Sequence, residues 1–483
     1  MTNHIYCFSR SATFKGWGTL KFHSYSKTGW FYGYFLANIS NGGTAPLIPL
    51  FLVLAFSGTL TQVGLVTAAT SIASIPAYII WGNLSDHLHR RKLFILEGLA
   101  GLAVSMALMW LSVNFFMFLI ANFLLGLLYA ASAPAGTALL IEQTPKEQWA
   151  SCLGKFSKLG GAGYLTGLVA GAVWFSFVPS TQVDMRFFFA FSVLSALAGT
   201  ALILLLVNEK TGEEINPPGH RRDSHWNAIA AVPLHLVERA KYLPSRMGAF
   251  VRLATPSQQE RKEIPAGLWK YYAVVALFST GFTSFYAVLP NYMADYLGTR
   301  FLVPESLIFL VYIGSSIAST LTYSRVSSIS AAAGEKRLQS LALSARVLII
   351  PSFFLPALFI NNAGEVMLFL LILNSMMGVC WAIISVTGQS MVAKMAGPHI
   401  KGEAIGFYNA FTGIGAIAGA IAGGIVAQDA GYMSDFLLSS LFIASGITLL
   451  SALKMDSESS SGDSAEGKPG RARLEKAFQM KSR

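Results

Sequence analysis

Long stretches without charged side chains dominate this sequence. Ten of them contain 18 or more consecutive residues with no Asp, Glu, Lys or Arg. They cover residues 28–85, 98–141, 159–183, 187–208, 271–294, 306–324, 347–364, 366–393, 404–428 and 436–453. Because a helix needs about 20 apolar residues to cross a bilayer, each stretch can hold a membrane span. The first two are long enough for two spans each, with turns expected near Ser57-Gly58 and Ser112-Val113-Asn114, so we predict twelve spans.

The composition agrees with a membrane protein built from helices. Charged residues make up 12% of the chain, against about 25% in a typical soluble domain. An open sheet would leave backbone groups unpaired in lipid, and the apolar runs lack the strict alternation of a membrane-barrel strand. The predicted fold class is therefore an all-α membrane protein.

The positive charges predict how the chain is oriented. With the N-terminus in the cytoplasm and twelve spans, all but two of the 35 Lys and Arg residues fall on the cytoplasmic side. The exceptions are Arg186 and Arg300. This asymmetry follows the positive-inside rule, so we expect a multi-pass protein of the plasma membrane with both termini cytoplasmic. The net charge of +11 then reflects topology and contact with anionic lipid rather than nucleic-acid binding.

Polar segments divide the chain into five regions. A leader, 1–28, precedes an apolar half at 29–208, and a second apolar half at 268–455 precedes a polar tail at 456–483 that we expect to be disordered. The linker at 209–267 combines prolines, basic residues and loosely alternating apolar residues. We interpret it as one or two short amphipathic helices on the inner membrane face, with a disordered linker as the alternative.

The two apolar halves share an internal repeat. Residues 122–171 match residues 374–423 without a gap when 252 is added to each number. The matches are Asn122/Asn374, Gly126/Gly378, Tyr129/Trp381, Gly136/Gly388, Gly154/Gly406, Gly161/Gly413, Gly163/Gly415, Gly167/Gly419 and Gly171/Gly423. A parallel repeat of this kind predicts two pseudo-symmetric six-helix bundles related by an axis along the membrane normal.

A short charged segment separates the second and third predicted spans. Residues Gly82 to Lys92 read Gly-Asn-Leu-Ser-Asp-His-Leu-His-Arg-Arg-Lys. This segment resembles the signature loop of the major facilitator superfamily, a large class of secondary transporters, and the span count, charge asymmetry and duplication agree with that family. The resemblance implies that Gly82, Asp86 and Arg90 form a latch against span eleven that holds the outward-open state. A generic positively charged loop is the alternative.

Neighbouring charges extend the predicted latch region. Arg91 can pair with Asp86 or with lipid phosphate. Glu142 ends span four and occupies the position equivalent to Lys394 in the second half. We therefore expect Glu142 to contribute to gating, either by pairing with Lys394 across the halves or by a surface contact of its own.

Glycines recur every four residues in spans five and eleven. The runs are Gly163, Gly167 and Gly171 in the first half, and Gly415, Gly419 and Gly423 in the second. Small faces allow helices to approach closely, and in the resembled family these two spans lie at the seam between the halves. We expect the glycine faces to slide there, with plain helix packing as the alternative. The first run also resembles the family's antiporter motif, but Leu168 stands where that motif has proline, so proton antiport stays open.

Polar and aromatic residues in spans one, four, seven and ten are candidates for contact with a substrate. In the resembled family these four spans line the central cavity. The candidates are Tyr34, Asn38, Asn41, Asn122, Tyr129, Thr283, Tyr286, Asn291, Asn374 and Trp381. A buried amide costs energy unless it is paired, so each needs a helix, water or substrate partner. Helix–helix hydrogen bonding is the alternative for any single residue.

Charged and catalytic groups are scarce inside the predicted spans. None of the 24 carboxylates lies centrally in a span, and Arg346 is the one cation that falls inside one. All 8 His lie outside the spans, the 3 Cys show neither a disulfide framework nor metal-ligand spacing, and no Gly-x-x-x-x-Gly-Lys segment occurs. We expect a cavity lined by neutral groups, no cofactor and no metal.

The combined pattern indicates a secondary transporter that works by alternating access. The expected substrate is a small neutral or amphipathic organic molecule. Efflux of apolar compounds and uptake of a metabolite are both open, with a proton as a candidate coupling ion, and the resemblance implies a monomer. The alternatives are a non-transporting membrane sensor of the same fold and a membrane-embedded enzyme. Since an enzyme needs convergent catalytic groups, we expect none here.

Overall fold

The computed structural model describes residues 29–88, 90–144, 149–177, 182–207, 265–301, 305–396 and 401–453. Within these ranges the regular secondary structure is helical, with no strand. The predicted leader, nearly all of the linker with its amphipathic helix, and the tail lie outside the described residues, so those expectations stay predictions.

Twelve membrane spans follow one another along the described chain. Eleven helices are long and apolar enough to cross a membrane, and a bent pair supplies a twelfth span. The first six spans are Phe31–Thr44 with Leu47–Phe56, Leu60–Leu88, Arg91–Leu111, Phe115–Tyr129 with Ser132–Gln143, Trp149–Phe177 and Gln182–Leu206. The last six are Ala266–Phe301, Ser306–Ala333, Glu335–Ser352 with Leu355–Phe359, Ala363–Met395, Lys401–Ala430 and Tyr432–Ser451. We number them spans 1 to 12, and they confirm the predicted fold class.

Local sequence explains where span 1 bends and ends and where span 4 begins. Pro46 lacks the N–H that would continue the first helix, and the two helices of the span meet at 44°. The second helix ends at Ser57, whose φ of 50° lies in the left-handed region, and Gly58 follows. Span 4 begins after Asn114, whose side chain accepts a hydrogen bond from the Met117 N–H at 2.9 Å. Both turns lie where the sequence predicted them.

Several helices extend beyond the charge-free stretches. Most of the segment from Gly82 to Lys92 is helical rather than a loop, and residues 89–90 alone separate spans 2 and 3. Span 7 has 36 residues and includes Lys270 and Arg300. At 1.5 Å per residue it is about 54 Å long, well beyond a hydrocarbon core of roughly 30 Å. Charged helix ends therefore project past the core, and the absence of charge marks only the part of each helix that lies in lipid.

The helices alternate in direction, so their ends form two sides. We call the side on which spans 1, 3, 5, 7, 9 and 11 begin the basic side, since cations such as Arg91 lie there. On the opposite side, Arg186 donates to the carbonyl oxygen of Trp110 at 2.8 Å, and Arg300 donates to that of Ala357 at 2.8 Å. The two arginines are thus on the side where the charge pattern placed them. The cytoplasmic location of the basic side stays a prediction.

Each half of the chain buries its own apolar core. One cluster collects side chains of spans 1 to 6 together with Phe309 of span 8, and the other collects spans 7 to 12 together with Leu50 of span 1. Because lipid is as apolar as these side chains, close packing rather than exclusion of water holds each bundle together. Phe309 and Leu50 cross between the halves and mark where the bundles meet.

The internal repeat is visible as repeated helix packing. Span 5 approaches span 1 so closely that a Cβ on Gly167 would lie 2.1 Å from the carbonyl oxygen of Ile39. Span 11 makes the same approach to span 7, where a Cβ on Gly419 would lie 2.1 Å from the carbonyl oxygen of Thr280. Because no side chain fits at either position, glycine is required at both, and the two bundles use one packing scheme.

The glycine runs hold helices together within each bundle. Spans 5 and 11 do lie at the seam, since Phe175 of span 5 stacks on Phe309 of span 8 with 5.5 Å between ring centroids. The runs, however, face spans 1 and 7 of their own halves, and Gly171 is the member that meets the other half, at Phe309. In this conformation most of these glycines contact carbonyl groups of their own bundle, as the packing alternative describes, and sliding at the seam stays a prediction.

Candidate functional site

The two halves touch near the opposite side. The N–H of Leu60 donates to the side chain of Gln428 at 2.8 Å, and a Cβ on Gly64 would lie 2.2 Å from the carbonyl oxygen of Ala420. These contacts join span 2 to span 11. On the other flank, span 5 meets span 8 through the stacked rings described above. The opposite side is closed by both pairs of helices.

Toward the basic side, the halves separate. A Cβ placed on Gly154, Gly161 or Gly406 would meet nothing within 4 Å. For Gly82, the glycine of the predicted latch, the nearest atom is the Cβ of Pro134 at 3.9 Å, which belongs to the same bundle and not to span 11. Contacts between the halves extend to mid-span, where a Cβ on Gly413 of span 11 would lie 2.3 Å from the side chain of Ile75 in span 2. From the open space beyond them we infer a central cavity that is closed on the opposite side and open toward the basic side.

The predicted latch does not join the halves through Gly82 in this conformation. The backbone of Asp86 lies in the helix of span 2, and its side chain is outside what the structure describes. Arg90 is exposed just before span 3. The latch is expected to hold the outward-open state. In a conformation that is open on the basic side instead, the latch should be released. Its role stays a prediction.

An ion pair at the basic side connects neighbouring helices in each bundle. Arg91 at the start of span 3 pairs with Glu142 at the end of span 4 at 2.9 Å, and Arg91 also donates to the Ser85 hydroxyl at 2.9 Å. In the second bundle, Glu335 at the start of span 9 pairs with Lys394 at the end of span 10 at 2.9 Å. The two pairs occupy equivalent places with exchanged charges. The expected pairing of Glu142 with Lys394 is wrong here, because each is held by a partner in its own bundle.

The polar candidates of spans 1 and 4 lie where these two helices meet. The buried hydroxyl of Tyr34 donates to the carbonyl oxygen of Ser132 at 2.6 Å, so it ties span 1 to span 4. Asn38 donates to the carbonyl oxygen of Tyr34 at 2.8 Å, and Asn41 lies beside the hydroxyl of Tyr129. Asn38, Asn41 and Tyr129 are only half-buried, so they stay candidates for contact with a substrate.

Two asparagines that the repeat singled out are buried and bond to helix carbonyl groups. Asn374 is fully buried and donates to the carbonyl oxygen of Val311 in span 8 at 3.0 Å. Asn122 is buried and donates to a carbonyl oxygen one turn earlier in its own helix at 2.9 Å. Asn122 shares a helix face with Gly126, where span 4 approaches span 2. Asn374 likewise shares a face with Gly378, where span 10 approaches span 8. In this conformation both side chains bond to helix carbonyl groups, as the packing alternative describes, while the amide oxygen of Asn374 has no partner, and contact with a substrate stays a prediction.

The candidates of spans 7 and 10 divide into two groups. Asn291 is 2% exposed and donates to the carbonyl oxygen of Pro49 at 3.1 Å, so it joins the two halves instead of lining the cavity. Thr283 and Tyr286 are half-buried, and Trp381 is 44% exposed although it lies near the middle of span 10. These three keep surface available for a substrate.

A buried arginine lies behind the wall formed by these aromatic residues. Arg346 of span 9 has no exposed surface, and its Nη2 donates to the carbonyl oxygen of Met377 at 3.0 Å. The guanidinium carbon lies 4.1 Å from the ring centroid of Phe282 and 5.9 Å from those of Tyr286 and Trp381. The sequence marked Arg346 as a cation inside a span but did not connect it to the site, because span 9 is not among the spans that the family resemblance assigns to the cavity.

A buried carboxylate is the second charged group that the sequence did not connect to the site. Asp435 has no exposed surface and accepts a hydrogen bond from the Ser284 hydroxyl of span 7, while its Oδ2 has no partner. Span 12 begins at Tyr432, so Asp435 lies inside it although the charge-free stretch starts one residue later. Asp435 lies in the first turn of span 12, so it agrees with the expectation that no carboxylate lies centrally in a span, and only its complete burial was not predicted.

Three tyrosine hydroxyls gather at the seam between the bundles. Tyr164 of span 5, Tyr286 of span 7 and Tyr312 of span 8 lie near one another, and all three are half-buried. Tyr164 belongs to the first bundle and the other two to the second, so the cluster bridges the halves. Tyr164 and Tyr312 were not predicted, because they lie on spans 5 and 8.

Two repeated six-helix bundles that meet around a polar and aromatic centre are the architecture of a secondary transporter. The sequence model described as Major Facilitator Superfamily matches residues 30–372 and 271–482. The chain belongs to this family, which confirms the resemblance drawn from the charged segment.

Relatives and solved structures agree with this membership. The multidrug resistance protein MdtG of Enterobacter lignolyticus (strain SCF1) is 24% identical over 427 residues, covering 85% of this chain and 88% of the relative. MdtG of Citrobacter koseri (strain ATCC BAA-895 / CDC 4225-83 / SGSC4696) is 34% identical over 145 residues, covering 29% of this chain and 35% of the relative. The crystal structure of the nucleoside transporter NupG matches with a TM-score of 0.64 and 13% identity, covering 88% of this chain and 97% of that chain. At this identity the structural likeness shows the fold alone.

Proposed function

We propose that the chain exports amphipathic organic compounds from the cytoplasm by alternating access. The observation that carries this proposal is the aromatic wall at mid-span, where the half-exposed Trp381 and the half-buried Tyr286 stand beside a cavity open toward the basic side. Aromatic faces bind apolar bodies of varied shape, and the half-buried Asn38 and Asn41 offer hydrogen bonds to a polar group. The name of the MdtG relatives favours efflux over uptake.

The direction of transport depends on which side faces the cytoplasm. The basic side is the cytoplasmic one in this proposal, because cations near span ends favour the inner leaflet and its anionic lipids. Substrate then enters from the cytoplasm or the inner leaflet. The halves separate at Gly64 and Ala420 and close at the basic side, where the latch of Gly82, Asp86 and Arg90 would meet span 11. A single chain contains both bundles, so a monomer suffices.

A proton is the coupling ion in this proposal, and Asp435 is the group that we expect to carry it. Among the described residues it is the one carboxylate with no exposed surface, and its Oδ2 has no partner. Buried ionisable groups inside membrane helices commonly belong to proton or substrate pathways.

The export proposal is tested with N-phenyl-1-naphthylamine, a neutral aromatic dye, in cells that lack their own exporters. Expressing cells should accumulate less dye than cells with an empty vector, and a protonophore should remove the difference. Trp381→Ala should reduce export about tenfold, which corresponds to the roughly 1.4 kcal/mol of one aromatic contact. Trp110→Ala, a substitution of the same type on the opposite side, should not reduce it. Equal accumulation with and without the protein would contradict the proposal.

The proposed orientation is tested by labelling. Arg300→Cys, in a background with Cys7, Cys152 and Cys380 replaced, should react with a membrane-impermeant maleimide added outside the cell. Lys158→Cys, an exposed residue of span 5 on the basic side, should react only after the membrane is permeabilised. The reverse pattern would show that the basic side faces outward.

A further inference from the structure

We infer that Arg346 receives an anionic group of the substrate, so that the site selects amphipathic organic anions over their neutral analogues. This inference rests on the proposed export function and narrows its substrate class. It replaces the expectation of an almost uncharged cavity, which the sequence had suggested.

The position of Arg346 is the first step of the argument. It lies eleven residues after Glu335, the start of span 9, which places it about 16 Å along the helix and thus near the middle of a hydrocarbon core of roughly 30 Å. A cation at this depth is costly to maintain, and such residues usually face a partner or a transport pathway. Arg346 has no exposed surface, so its length does not carry the charge to either membrane side.

The incomplete hydrogen bonding of the guanidinium is the second step. A guanidinium offers five N–H donors. The Nη2 of Arg346 donates to Met377, whereas Nε and Nη1 are buried without a partner. No carboxylate forms an ion pair with Arg346 within the ranges that the structure covers. A charge that is buried, unpaired and only partly hydrogen-bonded is the arrangement expected of a site that an anionic ligand completes.

The surrounding rings are the third step. Phe282 lies against the guanidinium at 4.1 Å, and Tyr286 and Trp381 lie at 5.9 Å. Contact with aromatic faces offsets part of the cost of the charge when no ligand is present. The Tyr286 hydroxyl and the Cys380 thiol also lie beside the guanidinium, but neither carries a negative charge, and Nε and Nη1 have no hydrogen-bond partner of good geometry. Trp381 is 44% exposed, so a modest rotation of its ring would bring a bound molecule to the arginine while leaving an aromatic face for the apolar part of that molecule.

The chemistry of the site therefore calls for one negative group joined to an apolar or aromatic body. A carboxylate or sulfonate would accept from Nε and Nη1, and the apolar body would lie on Trp381. A neutral analogue would gain the aromatic contact alone. Charge-assisted hydrogen bonds are about twice as strong as neutral ones, so the anion should be preferred by roughly tenfold to a hundredfold in affinity.

The test uses two dyes that differ by one sulfonate group, namely 1-anilinonaphthalene-8-sulfonate and its neutral parent N-phenyl-1-naphthylamine. Binding to the purified full-length protein and uptake into inside-out vesicles are measured for both. Wild-type protein should prefer the sulfonate. Arg346→Gln should weaken binding of the sulfonate about tenfold to a hundredfold and leave the neutral dye within twofold, and Arg346→Lys should restore part of the preference. Arg337→Gln makes the same change at an exposed position of the same helix and should behave as wild type.

The outcomes separate the two proposals. If wild type transports the neutral dye but not the sulfonate, export stands and the inference about Arg346 is overturned. An equal loss of both dyes in a folded Arg346→Gln protein would show that the arginine only supports the bundle, and would also overturn it. If wild type transports neither dye, the export function fails and the inference fails with it. Gel filtration and thermal unfolding of each variant establish that the protein is folded.

Discussion

Replacing Gly64 with alanine tests whether the contact between spans 2 and 11 holds the opposite side closed. A Cβ at this position would lie 2.2 Å from the carbonyl oxygen of Ala420, which is about 1 Å inside a normal carbon–oxygen contact of roughly 3.3 Å. The helices must move apart by that amount, and overpacking of this kind costs about 1–3 kcal/mol. The contact joins the two halves and exists only when the basic side is open. The substitution therefore raises the free energy of that conformation alone. The equilibrium should move toward the other conformation by about 5- to 150-fold.

Gly167→Ala is the matched control, since its Cβ would lie 2.1 Å from the carbonyl oxygen of Ile39 in the same bundle. That clash exists in both conformations, so it should lower stability without moving the equilibrium. Spin labels on Lys158→Cys and Arg325→Cys, both exposed at the basic side of spans 5 and 8, report the distance between the halves. Shorter distances should gain population in Gly64→Ala and not in Gly167→Ala. No shift in the first variant, or equal shifts in both, would refute the reasoning.

The ion pairs, the buried carboxylate and the latch allow three further tests. Arg91→Glu should destabilise the protein by about 1–3 kcal/mol, because it sets two carboxylates against each other. Adding Glu142→Lys should recover most of that loss, as the exchanged pair of the second bundle suggests. Thermal unfolding that finds the double variant no more stable than the single one would contradict this. Asp435→Asn should leave stability unchanged or raise it by about 1–2 kcal/mol, because it keeps the hydrogen bond from Ser284 and removes a buried charge. The same variant should make export insensitive to a protonophore. If a protonophore still abolishes export as in wild type, Asp435 does not take part in coupling. Asp86→Asn should slow transport with unchanged substrate binding, and a normal rate would remove the latch from the mechanism.

The candidate site could be predicted from the sequence only in part. Sequence identifies which spans hold polar residues, but not the direction in which each side chain points around its helix. Asn374 is the clearest case, since the repeat selected it and the structure directs it to Val311 in span 8. A polar residue beside a glycine, as with Gly378 four residues later, favours a packing face. Trp381, three residues after Gly378, belongs to the same helix face, so this signal does not separate Asn374 from Trp381, and only the tertiary structure does.

Charges inside the spans were harder to assign, for two physical reasons. Asp435 lies one residue outside a charge-free stretch. The helix of span 12 extends past that stretch, and a charged residue in such an extension is buried when a neighbouring helix covers it. Arg346 was visible as an intramembrane cation, but its long side chain reaches from span 9 to rings of spans 7 and 10. Such reach across helices depends on tertiary packing.

The sequence by itself determines the membrane character, the span count, the turns at Ser57 and Asn114, the duplication and the asymmetry of charge. It does so because lipid requires every backbone group to be paired within a helix and excludes charge from the span interior. Only the tertiary structure decides which side of the cavity is open, which glycines meet carbonyl groups, and which polar groups remain available. These properties depend on contacts between residues far apart in the chain, such as Gly64 with Ala420 and Arg346 with Phe282, and no local pattern encodes the rotation of a helix about its axis.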